Sequence, residues 1–258
     1  MTARLLIEYD GSGFSGWAAQ PGLRTVQGEL EQALRTVLGC PVALTVAGRT
    51  DAGVHAWAQV ASHAGDAAKS GNLNGLLPED VAVIASQPAE SGFDARRDCT
   101  SRAYCYRVIA RAARPALERG RALYWAYPVD LGALRDCAAL LVGTHDFTAF
   151  TPTDTYHVRF DRDVYASYWR KSETGVLEFW IEADTFMRHM NRTLVGTMLE
   201  VGRGRCTVKD FARLLDGEGR VRAQAGPTAP AHGLYFAGAG YRGDRVLDAG
   251  AGGHTLGG

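Results

Sequence analysis

The sequence predicts an α+β fold of two similar halves, and three observations carry that prediction. Short apolar runs with strand-like alternation recur along the chain. Between them lie stretches with apolar residues at helical spacing, so that the first half reads strand, helix, strand, strand, helix, strand. A similar order starts again near residue 98, and 258 residues suffice for two modules with cores of their own. The predicted architecture is therefore two ferredoxin-like (βαββαβ-type) halves, 1–97 and 98–242, with mainly antiparallel sheets flanking a central active-site cleft. A glycine-rich tail, 243–258, offers no core and is predicted to be disordered.

Taken in order, Arg4 to Tyr9 is the first strand, and Asp10 to Trp17 is a loop containing Gly11, Gly13 and Gly16. Thr25 caps a helix in which Val26, Leu30, Leu34, Val37 and Leu38 share helical spacing, and Gly39 stops it. Val42 to Ala47 and Ala56 to Ala61 read as successive strands. Asp66 to Leu77 is a shorter helix, and Val81 to Gln87 is a strand after Pro78.

In the second half Ala103 to Ala110 is a strand, and Leu131, Leu134, Ala138, Leu141 and Val142 form a helix capped by Asp130. Two long strands follow, Val158 to Arg170 and Gly175 to Ala183. In the latter, Leu177, Phe179, Ile181 and Ala183 alternate with Glu178, Trp180 and Glu182, which predicts one core face and one amphipathic face. A helix from Phe186 to Val201, another from Val208 to Leu215 capped by Thr207, and a last strand from Leu234 to Tyr241 complete the chain.

Hydrophobic residues make up 46% of the chain and charged ones 22%, without an apolar run long enough to cross a bilayer. The N-terminus enters a strand without a signal-peptide core, which predicts a cytoplasmic location. Cys40, Cys99, Cys105, Cys137 and Cys206 are widely spaced and contain no Cys-x-x-Cys pair, so neither a disulfide framework nor a zinc site is expected. Formal net charge is zero, yet eight arginines between Arg96 and Arg121 face only Asp98 and Glu118. That segment is either a phosphate-binding stripe or the arginine usage of a chain rich in alanine and glycine.

Asp51 stands in Gly48-Arg49-Thr50-Asp51-Ala52-Gly53-Val54-His55, a turn between two strands. It can serve as an accessible carboxylate, and it can equally be a loop aspartate bonded to its own backbone. Arg192 lies opposite the stripe Phe186, Met190, Leu194, Met198 and Val201, alongside Val195 and Leu199, so both sides of its helix look buried. A buried guanidinium requires an anion, and Asp51, Asp184, Glu200 or a ligand phosphate could supply it. Tyr104 and Tyr106, in register with Arg102, are either core tyrosines or a stacking face for bases. His55 lacks partners at metal-ligand spacing and reads as structural.

Taken together, Tyr9-Asp10-Gly11-Ser12 with Gly16-Trp17, the Gly48 to His55 run, Phe93-Asp94-Ala95-Arg96, Arg102 to Tyr106, Asp146 to Phe150, Phe186 to Arg192 and His232-Gly233-Leu234-Tyr235 resemble the tRNA pseudouridine synthase A (TruA) family. The resemblance spans about Leu6 to Tyr241. It implies conversion of uridine to pseudouridine at positions 38, 39 and/or 40 of the tRNA anticodon stem-loop, by a cytoplasmic homodimer with no metal or other cofactor. By it Asp51 matches the catalytic aspartate, Tyr104 the active-site tyrosine at the uracil, and Arg192 the arginine that pairs with the aspartate. Arg49 and Arg96 match positions of RNA contact. The aspartate attacks ribose C1′ or the base, or assists glycal formation, and the freed uracil rejoins through C5. Two rival readings are an RNA-binding module without catalysis and a carboxylate hydrolase using Asp51 with His55. The second lacks a companion carboxylate at a suitable spacing.

Overall fold

The computed structural model describes residues 1–155, 157–215 and 221–247, so the tail predicted to be disordered lies, from residue 248 on, outside the described residues. The fold is α+β. It divides into two compact units, one comprising Met1–Arg102 with Tyr235–Arg245 and the other Ala103–Leu234 with the chain from Val246 onward.

The first unit contains β1 (Thr2–Tyr9), α1 (Val26–Leu38), β2 (Thr45–Val46), β3 (His55–Ala64), α2 (Ser70–Asn74) and β4 (Val81–Ala89). β1 lies antiparallel between β3 and β4, and β2 is antiparallel to β3. On β1 the buried set Ala3, Leu5, Ile7 and Tyr9 follows the period of two that its sequence shows. α1 starts where Thr25 accepts the Gly28 N–H and ends at Gly39 in the left-handed region, as its cap residues predict. It buries Val26, Leu30, Ala33 and Leu34, and each leucine contributes about 1.5–3 kcal/mol of apolar burial.

Two elements are shorter than their patterns suggest. Leu44 donates its N–H to the Glu31 carboxylate at 3.0 Å instead of to a strand, so only Thr45 and Val46 of the 42–47 run form a ladder. α2 is confined to Ser70–Asn74 because Lys69 provides no side-chain cap, while the Asn74 amide bonds the backbone of Val83 at both N and O.

β5 (Cys99–Ala110) leads into the second unit, followed by β6 (Leu123–Trp125), α3 (Leu131–Ala139), β7 (Gly143–Asp146), β8 (Asp161–Lys171), β9 (Leu177–Ala183), α4 (Met190–Gly202) and α5 (Val208–Arg213). The strands run in the order β5-β9-β8-β7, with β6 parallel to β5. β7, β8 and β9 pair antiparallel, and α3 packs on α4, α5 and β8. The last strand, β10 (Leu234–Tyr241), has the predicted bounds and runs parallel to β3 at Tyr235 and Phe236.

Two expectations for this unit are corrected. Both faces of β9 are buried, not one: Glu182 is fully enclosed and accepts the N–H groups of Val246 and Leu247, and Glu178 accepts from Arg170 and Trp180. Those donors are what allow carboxylates on an enclosed face. α4 begins at Met190 rather than Phe186, because His189 adopts φ 61°, a left-handed conformation that ends any continuation toward the N-terminus. Met190, Leu194, Met198 and Val201 do form the buried stripe, and Phe186 precedes the helix.

Among the described residues no helix is long and apolar enough to cross a membrane. None of the five cysteines forms a disulfide.

Candidate active site

The loop carrying Asp51 is held from several sides within the first unit. The Tyr9 hydroxyl and the Thr50 hydroxyl are 2.7 Å apart, and the buried Gln59 amide donates to the Gly48 carbonyl at 2.8 Å. Trp17 donates its backbone N–H to the Thr50 carbonyl. Arg102 donates to the Ala47 carbonyl at 2.9 Å. The loop also leans on the 10–17 segment so closely that a Cβ on Gly11 would fall 2.0 Å from the Val54 carbonyl oxygen, and Gly16, at φ 95°, approaches the Thr50 oxygen. This explains why Asp10-Gly11 and Gly16-Trp17 accompany the Asp51 run in the sequence: two loops meet backbone to backbone, which only glycine permits. Asp51 itself is half-buried.

His55 is structural, as its sequence context suggests. It is buried, its Nδ1 accepts the Gly11 N–H at 3.0 Å, and its ring stacks on Tyr235 at 4.7 Å. Tyr235 also stacks on Trp57 at 4.4 Å, so the two side chains on one face of β3 both use the tyrosine ring. The His55 Nδ1 also lies 3.2 Å from the Asp10 carboxylate, which with the Gly11 N–H commits it to the turn after β1 rather than to a hydrolytic role.

Burial pushes the Tyr9 phenol up to about 12. A folded-state value above that of the unfolded chain means that the neutral phenol stabilises fully below pH ~10, and that this contribution is lost as pH rises toward 12. Tyr9→Phe should flatten the decline in stability across that range, measured by denaturant unfolding at each pH. Tyr106 and Tyr241, whose phenols are likewise raised by burial, leave a residual slope. At neutral pH the variant should lose about 1 kcal/mol with the Thr50 bond.

Arg49 and Arg96, also in the first unit, are exposed, and among the described residues neither guanidinium has a hydrogen-bond or ion-pair partner. The rest of the arginine stripe is heterogeneous. Arg97 pairs with Asp98, Arg107 with Glu118, and Arg111 donates to the Ala113 carbonyl. Arg114 and Arg119 are exposed and likewise without side-chain partners.

Tyr104 and Arg192 belong to the second unit. Tyr104 is only 8% exposed and meets Phe186 edge to face at 5.0 Å. Phe186 therefore braces the tyrosine ring from the segment before α4. Tyr106 is core rather than a stacking face: it is fully buried, its hydroxyl donates to the Pro230 carbonyl, and its ring lies where Gly233 leaves no room for a Cβ. Arg192 is half-buried, not enclosed as predicted, and its Nε donates to the Ala229 carbonyl at 2.7 Å. The Arg192 carbonyl in turn accepts the Ala229 N–H at 3.0 Å. Segment 226–229 thus runs along α4, where Thr197 accepts the Gly226 N–H and Thr193 meets Thr228.

The predicted residues thus fall on two units, Arg49, Asp51 and Arg96 on the first, Tyr104 and Arg192 on the second. Chemically they comprise a carboxylate on a fixed loop, two unpartnered guanidiniums, an aromatic ring and a third guanidinium held at Nε. Among the described residues no three His, Cys, Asp or Glu side chains gather in a group able to hold a metal ion. The supporting roles of Gln59, Tyr9, Phe186 and Ala229 escaped the sequence reading because they rest on partners 11 to 82 positions away.

A family model described as tRNA pseudouridine synthase matches residues 137–242. The chain is 44% identical over 242 residues to the tRNA pseudouridine synthase A of Frankia casuarinae, covering 90% of this chain and 86% of the relative. It is 39% identical over 244 residues to that of Geobacillus kaustophilus, with 92% and 93% coverage. With that of Myxococcus xanthus it shares 39% over 238 residues, with 90% and 88% coverage.

Proposed function

The chain belongs to the tRNA pseudouridine synthase A family of isomerases, which convert uridine to pseudouridine, and we propose that it acts at positions 38, 39 and/or 40 of the anticodon stem-loop with Asp51 as nucleophile. In net the uracil N1–C1′ bond breaks, a C5–C1′ bond forms, the C5 hydrogen leaves as a proton and N1 gains one. Asp51 attacks the nucleotide, Arg192 pairs with that carboxylate and orients it, and Tyr104 packs against the uracil. Arg49 and Arg96 take backbone phosphates. The target nucleotide leaves its stack to reach a half-buried carboxylate.

One observation carries this reading: Asp51 sits on a loop fixed through Ala47, Gly48 and Thr50, with the exposed, unpartnered Arg49 on the same loop two residues before it. A preset carboxylate flanked by an open cation suits a phosphodiester-linked substrate better than a small neutral one. The motif resemblance further implies a cytoplasmic homodimer made of two ferredoxin-like halves, working without a metal or other cofactor.

The test is release of tritium from tRNA carrying C5-labelled uridine, with the modified positions mapped in the product. Release confined to the anticodon arm supports the proposal. A protein that binds tRNA yet releases none is an RNA-binding module without catalysis. Affinity should fall steeply with salt, and Arg49→Ala and Arg96→Ala should each lower the slope of log affinity against log salt by about one.

A further inference from the structure

We infer that Arg102 is a positioning residue that ties the Asp51 loop to the turn carrying Arg96, an inference that rests on the function proposed above. Its guanidinium donates from Nε to the Ala47 carbonyl at 2.9 Å, from one terminal nitrogen to the Cys99 carbonyl at 3.2 Å, and from the other to the Arg96 carbonyl at 3.1 Å. Ala47 begins the loop that ends in Asp51 and His55. Arg96 belongs to the turn that the Asp94 carboxylate folds by accepting the N–H groups of Arg96 and Arg97. One planar fork therefore braces three backbone positions, one of which starts the carboxylate loop while another is the backbone of an exposed RNA-contact candidate. These three acceptors are neutral carbonyls.

This arrangement removes Arg102 from the phosphate-binding stripe and gives it a different task. Arginine suits it because the guanidinium presents rigid donors in three directions, whereas a lysine ammonium is a single point that cannot span carbonyls this far apart in sequence. When RNA engages Arg96, the strut transmits the constraint to Ala47, so substrate contact and carboxylate placement share one connection. The loop's tethers through Gln59, Tyr9 and Trp17 contact Gly48 and Thr50, outside the Arg96 turn.

The experiment compares wild type, Arg102→Lys and Arg102→Ala in three measurements: tRNA affinity, single-turnover tritium release, and hydrogen exchange in the peptide covering 47–54. The expected result for both variants is a fall in rate of at least tenfold with tRNA affinity within twofold of wild type. Exchange in 47–54 should be faster while the thermal midpoint changes little. Guanidinium ion at a non-denaturing concentration should partly restore the rate of Arg102→Ala and not that of Arg102→Lys. An unchanged rate overturns the inference. A loss of affinity matching the loss of rate returns Arg102 to the phosphate stripe, and a rate that falls only with the folded fraction makes its role merely structural. If wild type itself releases no tritium, the functional proposal fails while the exchange measurement still decides the strut: protected wild-type amides that open in both variants support it, and unchanged exchange overturns it.

Discussion

Replacing Asp51 by Ala should reduce pseudouridine formation by a factor on the order of 10⁴ or more while leaving tRNA affinity unchanged or slightly improved. The rate loss follows from removing the proposed attacking group. The affinity follows from charge: a carboxylate near a polyanion opposes binding, and its removal takes away repulsion while Arg49 and Arg96 remain. The fold should tolerate the change, because the tethers of the loop reach Ala47, Gly48 and Thr50 rather than depending on the Asp51 side chain alone. Single-turnover tritium release and filter binding on the same preparation test both halves. Residual activity within a hundredfold of wild type would remove Asp51 from the nucleophile's role and leave it as a turn-former.

The second large effect is expected from Gly196→Ala in α4. A Cβ there would lie 1.7 Å from the Pro227 carbonyl oxygen and 2.9 Å from its carbon, both backbone atoms that cannot turn aside. Alanine in place of glycine gains about 1 kcal/mol of helix propensity. The clash outweighs that gain, since forced repacking costs about 1–3 kcal/mol or more and here the whole 226–229 segment must move. At about 2–4 °C per kcal/mol for a chain of this size, the thermal midpoint should fall by several degrees. The displacement also pulls Ala229 from Arg192, whose Nε bond at 2.7 Å and carbonyl bond at 3.0 Å both end on that residue. Turnover measured well below the midpoint should therefore drop as well, with tRNA affinity less affected. An unaltered midpoint would mean that the 227 segment does not rest on the helix.

Much of the fold was legible because its signals are local. Thr25, Gly39 and the spacing of Val26, Leu30 and Leu34 define α1 through bonds no more than four residues long, and the period of two in β1 reflects alternation within one strand. Where a distant partner decides, local pattern failed. Leu44 left its strand for a carboxylate 13 residues away, Asn74 ended α2 by bonding β4, and Glu182 looked solvated until the backbone of 246 and 247 enclosed it. Phe186 fitted the helical stripe of α4, and only the left-handed turn at His189 shows that it stands outside.

The same division runs through the candidate site. Which residues the proposed chemistry calls on, Asp51, Tyr104, Arg192, Arg49 and Arg96, is suggested by ordered motifs, since reactive groups must be present in the chain whatever the fold. How two of them are held is not. That Arg102 braces backbone rather than binding phosphate, that Tyr106 is core while Tyr104 keeps a partly accessible ring, and that Arg192 rests on Ala229 depend on contacts of 37 to 124 residues' separation, the Ala47 brace spanning 55. Periodicity and caps report only the energies of neighbours along the chain. A hydrogen bond to a carbonyl far away leaves no local mark, so the sequence alone offers the candidate groups and the tertiary structure alone assigns their supports.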